Sequence, residues 1–325
     1  MKKVNLSKVM LLFVAMLFTG YAYGQKEYVV GYENNALGNN VAKLWENGVV
    51  HNLTDGFTDA AAFSIFVSGN DVYIVGYEGK NAKIWKNGIP QSLTDGIYDA
   101  VAYSVYVSGG VVYVAGYEKN EQGNKVAKLW KNGVAQNLTD GNYDARAKSV
   151  YVSGSDVYIV GYESSGNCEY DVPKLWKNGV LQNFFVADDV EYPDAECSMA
   201  ESVCVIGSDV YVAGWTGHAI LWKNGITQEL ESDGKWCGAF SIYVQGKDVY
   251  VAGGEHRAKI WKNGEVQYLT MSDNSPAAAR SVYVFGGVVY VAGYQGKVAK
   301  FWKNGVAYNL TNGTYAAGAY CVFVK

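Results

Sequence analysis

The sequence is poor in proline, histidine and charged residues. Four prolines, three histidines and 18% charged residues occur among 325 residues. So little charge beside 49% apolar residues excludes a disordered chain or a coiled coil. The histidines have no metal-ligand spacing, and the sequence contains neither a phosphate-binding loop nor a serine nucleophile elbow. We therefore expect no metal and no cofactor.

Basic residues are also in the minority. Lys and Arg number 27 against 31 Asp and Glu, which gives a net charge of −4 and disfavours nucleic acid or an anionic membrane surface as the partner. Glycine and tyrosine are abundant, at 38 and 27 residues. This composition indicates many short strands joined by tight turns.

The first 24 residues have the features of an export signal. The segment begins with three basic residues, Lys2, Lys3 and Lys8. An apolar run follows at 9–18, and small residues precede Gln25. The run is shorter than the roughly 20 residues that span a bilayer. We expect residues 1–24 to be a cleaved signal peptide. The mature protein, 25–325, would be periplasmic, on the cell surface or extracellular, and not membrane-embedded.

A tryptophan followed after one residue by Asn-Gly recurs along the rest of the chain. The copies lie about 39–46 residues apart, the length of a four-stranded propeller blade. Because one residue type at one position in every copy serves a scaffold, we expect these indoles to pack between blades. They are Trp45, Trp85, Trp130, Trp176, Trp222, Trp261 and Trp302.

One copy shows the order of four strands, here named a to d. Strands a and b, at 102–108 and 111–117, are apolar on both faces, as a sheet between two other sheets requires. Strands c and d, at 126–130 and 134–138, flank an Asn-Gly pair. This pair is a strong hairpin signal because both turn residues need positive φ.

The two ends of the mature chain complement each other. It starts with a b strand at 28–32 and ends with an a strand at 321–324, so the ends share one blade. We predict an all-β, seven-bladed β-propeller with four antiparallel strands per blade. Its C-terminal strand joins the N-terminal blade and closes the ring.

The repeat resembles that of WD-repeat propellers in its strand order and in the Leu-Trp or Ile-Trp that ends strand c. Ser-Val-Tyr-Val followed by Tyr-Val-Ala-Gly-Tyr is similar to the seven-bladed propeller repeats of secreted bacterial proteins. The resemblance covers 28–325 and implies the fold. It does not imply the His and Asp network of the WD family, because Lys or Glu follows each tryptophan and no His precedes strand a.

In such a ring the a–b and c–d turns lie on one face, and the b–c and d–a loops lie on the other. All of the length variation falls in the second set, for example at 163–173 and 184–200. Loops on a rigid scaffold usually carry recognition, so this variable face is the expected binding surface. Neutral insertions are the alternative.

The residue after the strand-a alanine changes its chemistry from blade to blade. Its charged copies resist burial without partners, which places the position near water at the channel mouth. Aromatic rings mixed with both charge signs suit an oligosaccharide or an extended peptide. The alternative is that the aromatics pack between blades and the charges reach solvent. The candidate ligand-binding residues are Phe63, Tyr103, Lys148, Glu201, Phe240, Arg280 and Tyr320.

A secondary set of ligand-binding candidates follows the glycine of strand b. A glutamate comes next in most of these copies, and aromatic rings beside carboxylates suit sugars. The favoured interpretation is that the ring caps the blade and the glutamate is solvated. The aromatic residues are Tyr32, Tyr77, Tyr117, Tyr162, Trp215 and Tyr294.

Three functions remain open. The leading hypothesis is an exported, non-catalytic binding module for a glycan, a protein or a peptide, in which similar blades repeat a weak site. The second is a glycosidase or lyase, because propellers can gather distant carboxylates at the channel. The third is a structural scaffold. An acidic segment at 188–196 could hold calcium, but its spacing matches no calcium loop and a solvated insertion is favoured.

We predict a disulfide between Cys168 and Cys197. Export permits disulfides, and both residues lie in long insertions of the variable face. Cys237 is the competing partner, whereas Cys204 and Cys321 fall in a strands as small core residues. Non-reducing peptide mapping should recover the first two cysteines linked. Linkage to Cys237, or Cα atoms well beyond the ~7 Å limit, would contradict the prediction.

Overall fold

The computed structural model describes residues 24–165, 171–185, 198–231, 237–270 and 275–325. In these ranges the chain forms antiparallel four-stranded sheets arranged as the seven blades of a ring. The prediction of a seven-bladed β-propeller is confirmed. Within the described residues, no helix is long and apolar enough to cross a membrane.

Strand a of each blade lies innermost and contacts strand a of the next blade. These strands are β4 (Ala60–Ser68), β8 (Ala100–Ser108), β12 (Ala145–Ser153), β16 (Ser198–Ile206), β20 (Ala239–Gln245), β24 (Ala277–Phe285) and β28 (Ala317–Val324). The b strands are β1 (Glu27–Asn34), β5 (Asp71–Glu78), β9 (Val111–Lys119), β13 (Asp156–Ser164), β17 (Asp209–Thr216), β21 (Asp248–Gly253) and β25 (Val288–Gln295).

The c and d strands form the outer half of each blade. The c strands are β2 (Asn40–Glu46), β6 (Asn81–Lys86), β10 (Lys125–Lys131), β14 (Asp171–Lys177), β18 (Ala219–Lys223), β22 (Lys259–Lys262) and β26 (Val298–Lys303). The d strands are β3 (Val49–Asn52), β7 (Ile89–Ser92), β11 (Val134–Asn137), β15 (Val180–Gln182), β19 (Ile226–Glu229), β23 (Glu265–Tyr268) and β27 (Val306–Asn309). We number the blades from blade 1, formed by β28 and β1–β3, to blade 7, formed by β24–β27.

The Asn-Gly turns have the predicted backbone. Asn87 has a φ of 52° and Gly88 a φ of 79°, and the other six turns repeat this geometry. The Asn87 side chain also ties the turn to strand b. Its Oδ1 accepts from the Val72 N–H at 2.8 Å, and its Nδ2 donates to Asp71. Each turn is therefore anchored beyond its own hairpin.

The seven indoles pack between blades, as predicted. Trp130 of blade 3 is fully buried and lies in one cluster with Tyr73, Val75 and Ile84 of blade 2. The other six tryptophans are also at most 4% exposed. Truncating such a buried aromatic side chain costs about 3–5 kcal/mol. Contacts between blades are thus the main apolar core of the molecule.

The C-terminal strand closes the ring. Strand β28 pairs with β1 from Glu27↔Val324 to Glu33↔Ala317. Val322 and Val324 are 2% and 1% exposed and pack with Trp45 and Tyr290. Two sequence ends that hold only parts of a blade therefore make a complete one, and blade 1 has the same four strands as the others.

Deletion of residues 319–325 should lower the melting temperature sharply, because it bares the edge of β1 and a buried blade face. A point variant tests the same contact in case the deletion fails to fold. Val322→Ala should cost about 2 kcal/mol. Val306→Ala, at a position 58% exposed, is the matched control and should change stability by no more than about 0.5 kcal/mol. Equal stability of truncated and full-length protein would contradict closure.

Candidate functional site

The inner strand of every blade contains a β-bulge. In blade 2 the register moves from Ala62↔Gly76 to Ser64↔Val75, which leaves Phe63 without a partner on β5. The same shift occurs in the other six blades. A bulge redirects side chains, and here two consecutive residues of each inner strand face the channel. The bulged residues are the seven predicted candidates, Phe63, Tyr103, Lys148, Glu201, Phe240, Arg280 and Tyr320.

A glycine opposite each bulge allows the two strands to approach closely. A Cβ atom at Gly76 would lie 1.8 Å from the Ala61 carbonyl oxygen, and at Gly116 it would lie 2.0 Å from that of Val101. Neither glycine has a positive φ. These residues are therefore required for space rather than for backbone conformation.

The bulged residues and the residue after each of them line a cavity of about 250 Å³ at the channel. All seven bulged residues are half-buried. The second set of lining residues is Ser64, Ser104, Ser149, Ser202, Ser241, Ser281 and Cys321. Each of the seven blades therefore provides two adjacent residues to the lining of the cavity.

The serine side chains also connect the blades. The Ser64 Oγ accepts a hydrogen bond from the Val105 N–H of the next blade at 3.2 Å. Five more serine oxygens accept from a backbone N–H of the next blade. They are Ser104 from Val150, Ser149 from Val203, Ser202 from Ile242, Ser241 from Val282 and Ser281 from Val322. A serine that accepts with its oxygen keeps a proton to donate. Cys321 takes the seventh place beside the Ile65 backbone, and burial raises the pKa of its thiol.

Aromatic residues occupy one side of the cavity. Tyr320, Phe63 and Tyr103 come from neighbouring blades, and the Phe63 ring lies 4.9 Å from that of Tyr320 and 5.5 Å from that of Tyr103. Burial raises the pKa of Tyr103 and Tyr320 to about 12. Their hydroxyls therefore stay protonated at neutral pH and can donate hydrogen bonds.

Three of the secondary candidates extend this aromatic surface. Their rings lie beside those of the bulged aromatics at 5.9–6.0 Å, as Tyr32 with Tyr320, Tyr77 with Phe63 and Tyr117 with Tyr103. Tyr162 instead accepts a hydrogen bond from Arg146 at 2.6 Å. Tyr294 lies 5.7 Å from the Arg280 guanidinium, and Trp215 is half-buried on blade 5.

The glutamates beside these aromatics are not simply solvated, as expected above, but ion-paired. In four blades the carboxylate reaches a lysine of the adjacent c strand at 2.7–3.3 Å. The pairs are Glu33 with Lys43, Glu78 with Lys83, Glu118 with Lys128 and Glu163 with Lys174. Strands b and c run side by side there, so the register brings the charges together.

The charged residues lie on the other side of the cavity. The Lys148 Nζ is 3.0 Å from the Glu201 carboxylate and 4.5 Å from the centre of the Tyr103 ring. The Arg280 guanidinium stacks 4.1 Å from the centre of the Phe240 ring. The cavity thus combines an aromatic wall, a neutralised ion pair and an arginine.

A collar of side chains was not predicted. Each member lies three residues after the bulged residue of its inner strand. Neighbouring rings lie 4.7–5.4 Å apart, and Cys204 fills the gap between Tyr151 and Tyr243. The Val-Tyr-Val motif of strand a carries the signal, but in a sheet that is apolar on both faces alternation places this tyrosine between two sheets. Burial raises the pKa of the Cys204 thiol to about 11. The collar consists of Phe66, Tyr106, Tyr151, Cys204, Tyr243, Tyr283 and Phe323.

Two expectations fall outside the described residues. Cys168 and Cys197 lie there, as does the acidic segment at 188–196.

Among the residues that are described, no cluster of His, Cys, Asp and Glu could hold a metal ion. Cys204 and Cys237 are buried.

No protein-family model and no curated protein matches the chain. Solved propellers do. The computationally designed Ika8 protein is 15% identical with a TM-score of 0.50, over 90% of this chain and 89% of its own. The WD40 β-propeller domain of Doa1 is 17% identical with a TM-score of 0.51, over 82% and 85%.

A puromycin-hydrolyzing peptidase of Mycobacterium tuberculosis is also similar. It is 11% identical with a TM-score of 0.53, and 87% of this chain matches 53% of the peptidase. The chain therefore spans about half of that protein's length. At these identities the likenesses show the propeller fold alone, because folds of this kind carry many unrelated functions.

Gly76→Ala should destabilise the protein by about 3 kcal/mol, since its Cβ would overlap a backbone carbonyl that cannot move alone. Gly69→Asn is the control, because Gly69 has a φ of 58° and open space around it, and asparagine tolerates positive φ. Denaturant unfolding measures both. A Gly76→Ala protein as stable as the control would mean that the bulge does not depend on this contact.

Proposed function

We propose that this protein is an exported, non-catalytic binding module that holds part of a glycan or a peptide in its channel mouth. The observation that carries the proposal is the cavity lined by the seven bulged residues. Their backbone environment is the same in each blade, yet their side chains differ. Scaffold packing alone favours one residue type at such a position, as the tryptophans and alanines illustrate.

The chemistry of the cavity supports a polar ligand with flat apolar faces. The rings of Phe63, Tyr103 and Tyr320 provide stacking surfaces on one side, and hydroxyl groups lie below them. Small-molecule sites commonly combine apolar walls with a few placed polar groups. At about 250 Å³ the cavity is below the roughly 300–1,000 Å³ of sites for drug-sized ligands, so it suits one unit of a longer chain.

The lining gives less support to the glycosidase alternative. Glycosidases use two carboxylates on either side of the scissile bond. Among the residues that line this cavity, Glu201 supplies the one carboxylate, and it is ion-paired with Lys148. A binding role needs no second acid and uses the same residues as ligand contacts.

Export rests on the N-terminal sequence. The basic start, the short apolar run and the small residues before Gln25 carry this part of the proposal. A glycan or peptide outside the cytoplasm would be the accessible partner.

Glycan and peptide arrays should identify a ligand for residues 25–325. The variants Tyr103→Ala, Lys148→Ala and Arg280→Ala should each weaken its binding by about tenfold or more, since each removes a contact worth about 1.4 kcal/mol. Ile89→Ala is the control, because Ile89 follows the Asn87–Gly88 turn on the opposite face and is 72% exposed. Melting curves verify that the variants fold. If Ile89→Ala lost binding while the three cavity variants kept it, the binding site would lie on the opposite face and the proposal would be wrong.

A further inference from the structure

The charges that line the cavity do not cancel. Lys148 and Glu201 neutralise each other at 3.0 Å. Arg280, three blades from Lys148, has no carboxylate within ion-pair distance among the described residues. The cavity therefore presents one uncompensated positive charge, in a protein whose overall net charge is negative.

The guanidinium of Arg280 makes no hydrogen bond within the described residues. Its guanidinium stacks on Phe240, and its Nε atom is buried without a hydrogen-bond partner among the described residues. An atom closed to water is also closed to a ligand, so an anion would bind through the terminal NH2 groups of Arg280, which make no hydrogen bond within the described residues either. The planar guanidinium is suited to bidentate binding of an anion.

Arg146 offers an internal comparison. It is also a half-buried arginine of an inner strand, two residues before the bulged Lys148. It donates to the Tyr162 hydroxyl at 2.6 Å and stacks on the rings of Tyr117 and Tyr162. Its interactions are made within the protein, whereas those of Arg280 are incomplete. Arg280 is thus the arginine with unused binding capacity.

We propose that Arg280 binds the carboxylate of an acidic sugar unit, a hexuronate, while Tyr320 and Phe63 stack on the sugar ring. This inference rests on the proposed function and names its ligand class. Tyr320 belongs to the blade adjacent to that of Arg280, so an anion on the arginine places the attached ring beside the aromatic wall. The serine tier below, including Ser104 and Ser149, offers hydroxyls to those of the sugar.

A sugar unit is favoured over an extended peptide by the shape of the cavity. Its lining stops at the serine tier, and two residues further along the inner strands the collar rings pack against one another, for example Phe66 with Tyr106 at 4.7 Å and Tyr283 with Phe323 at 4.9 Å. A compact ring can enter such a cavity end-on, whereas an extended chain needs a groove that continues. A single uncompensated cation also matches the single charge of a uronate.

Calorimetric titration of residues 25–325 with D-glucuronate and with D-glucose tests this proposal. Glucuronate should bind about tenfold more tightly, and its affinity should fall as salt is added, since the attraction is screened. Arg280→Gln should remove this preference, because it should weaken glucuronate binding about tenfold more than glucose binding. Arg146→Gln is the matched control and should retain the preference.

The outcomes separate this inference from the proposed function. Equal binding of both sugars, or a preference that survives in Arg280→Gln, would overturn the role of Arg280 and leave the binding module intact. A preference for glucose 6-sulfate with no binding of glucuronate would overturn the uronate assignment. Binding of a glutamate-containing peptide with no sugar bound would retain a binding module and refute the sugar. Absence of binding to all of these probes and to the arrays, in protein that melts normally, would overturn both.

Discussion

The close approach of strand a to the glycine of strand b is the contact on which the channel depends. It is available because Gly76 and its counterparts have no Cβ, and it coincides with the one register shift of each inner strand. Without that shift, Phe63 and Ser64 would point to opposite sides of the sheet. With it, both face the channel, so one strand provides a ligand contact and a link to the next blade.

Repetition made much of the fold predictable. The indole, the Asn-Gly turn and the divided blade each follow from a pattern that recurs, and the structure reproduces them. The ring of candidates was found because Phe63 and its counterparts vary between an alanine and a serine that scarcely change. What they bind could not be derived in this way, because variation marks a position and not its partner.

Contacts between distant parts of the chain were not predictable. The Lys148–Glu201 pair joins residues on different blades, and its distance depends on how the blades are spaced. The collar was missed because strict alternation along strand a places Tyr106 on the sheet surface between two blades. The bulge between Ala102 and Ser104 shifts this alternation, so that Tyr106 joins the collar instead. The glutamates beside the aromatics were expected in solvent because the cross-strand register with Lys43 or Lys128 is not written in either strand alone.

The six serine hydrogen bonds all run in one direction around the ring, with the serine of one blade accepting from the next blade along the chain. Blades 3 to 7 therefore each donate one such bond and accept another, so opening any of them breaks bonds on both of its sides, and Cys321 takes the serine's place between blades 1 and 2. An open array of repeats can fray from its ends one repeat at a time. This circle has no end repeat, so its blades should unfold together in a single cooperative transition.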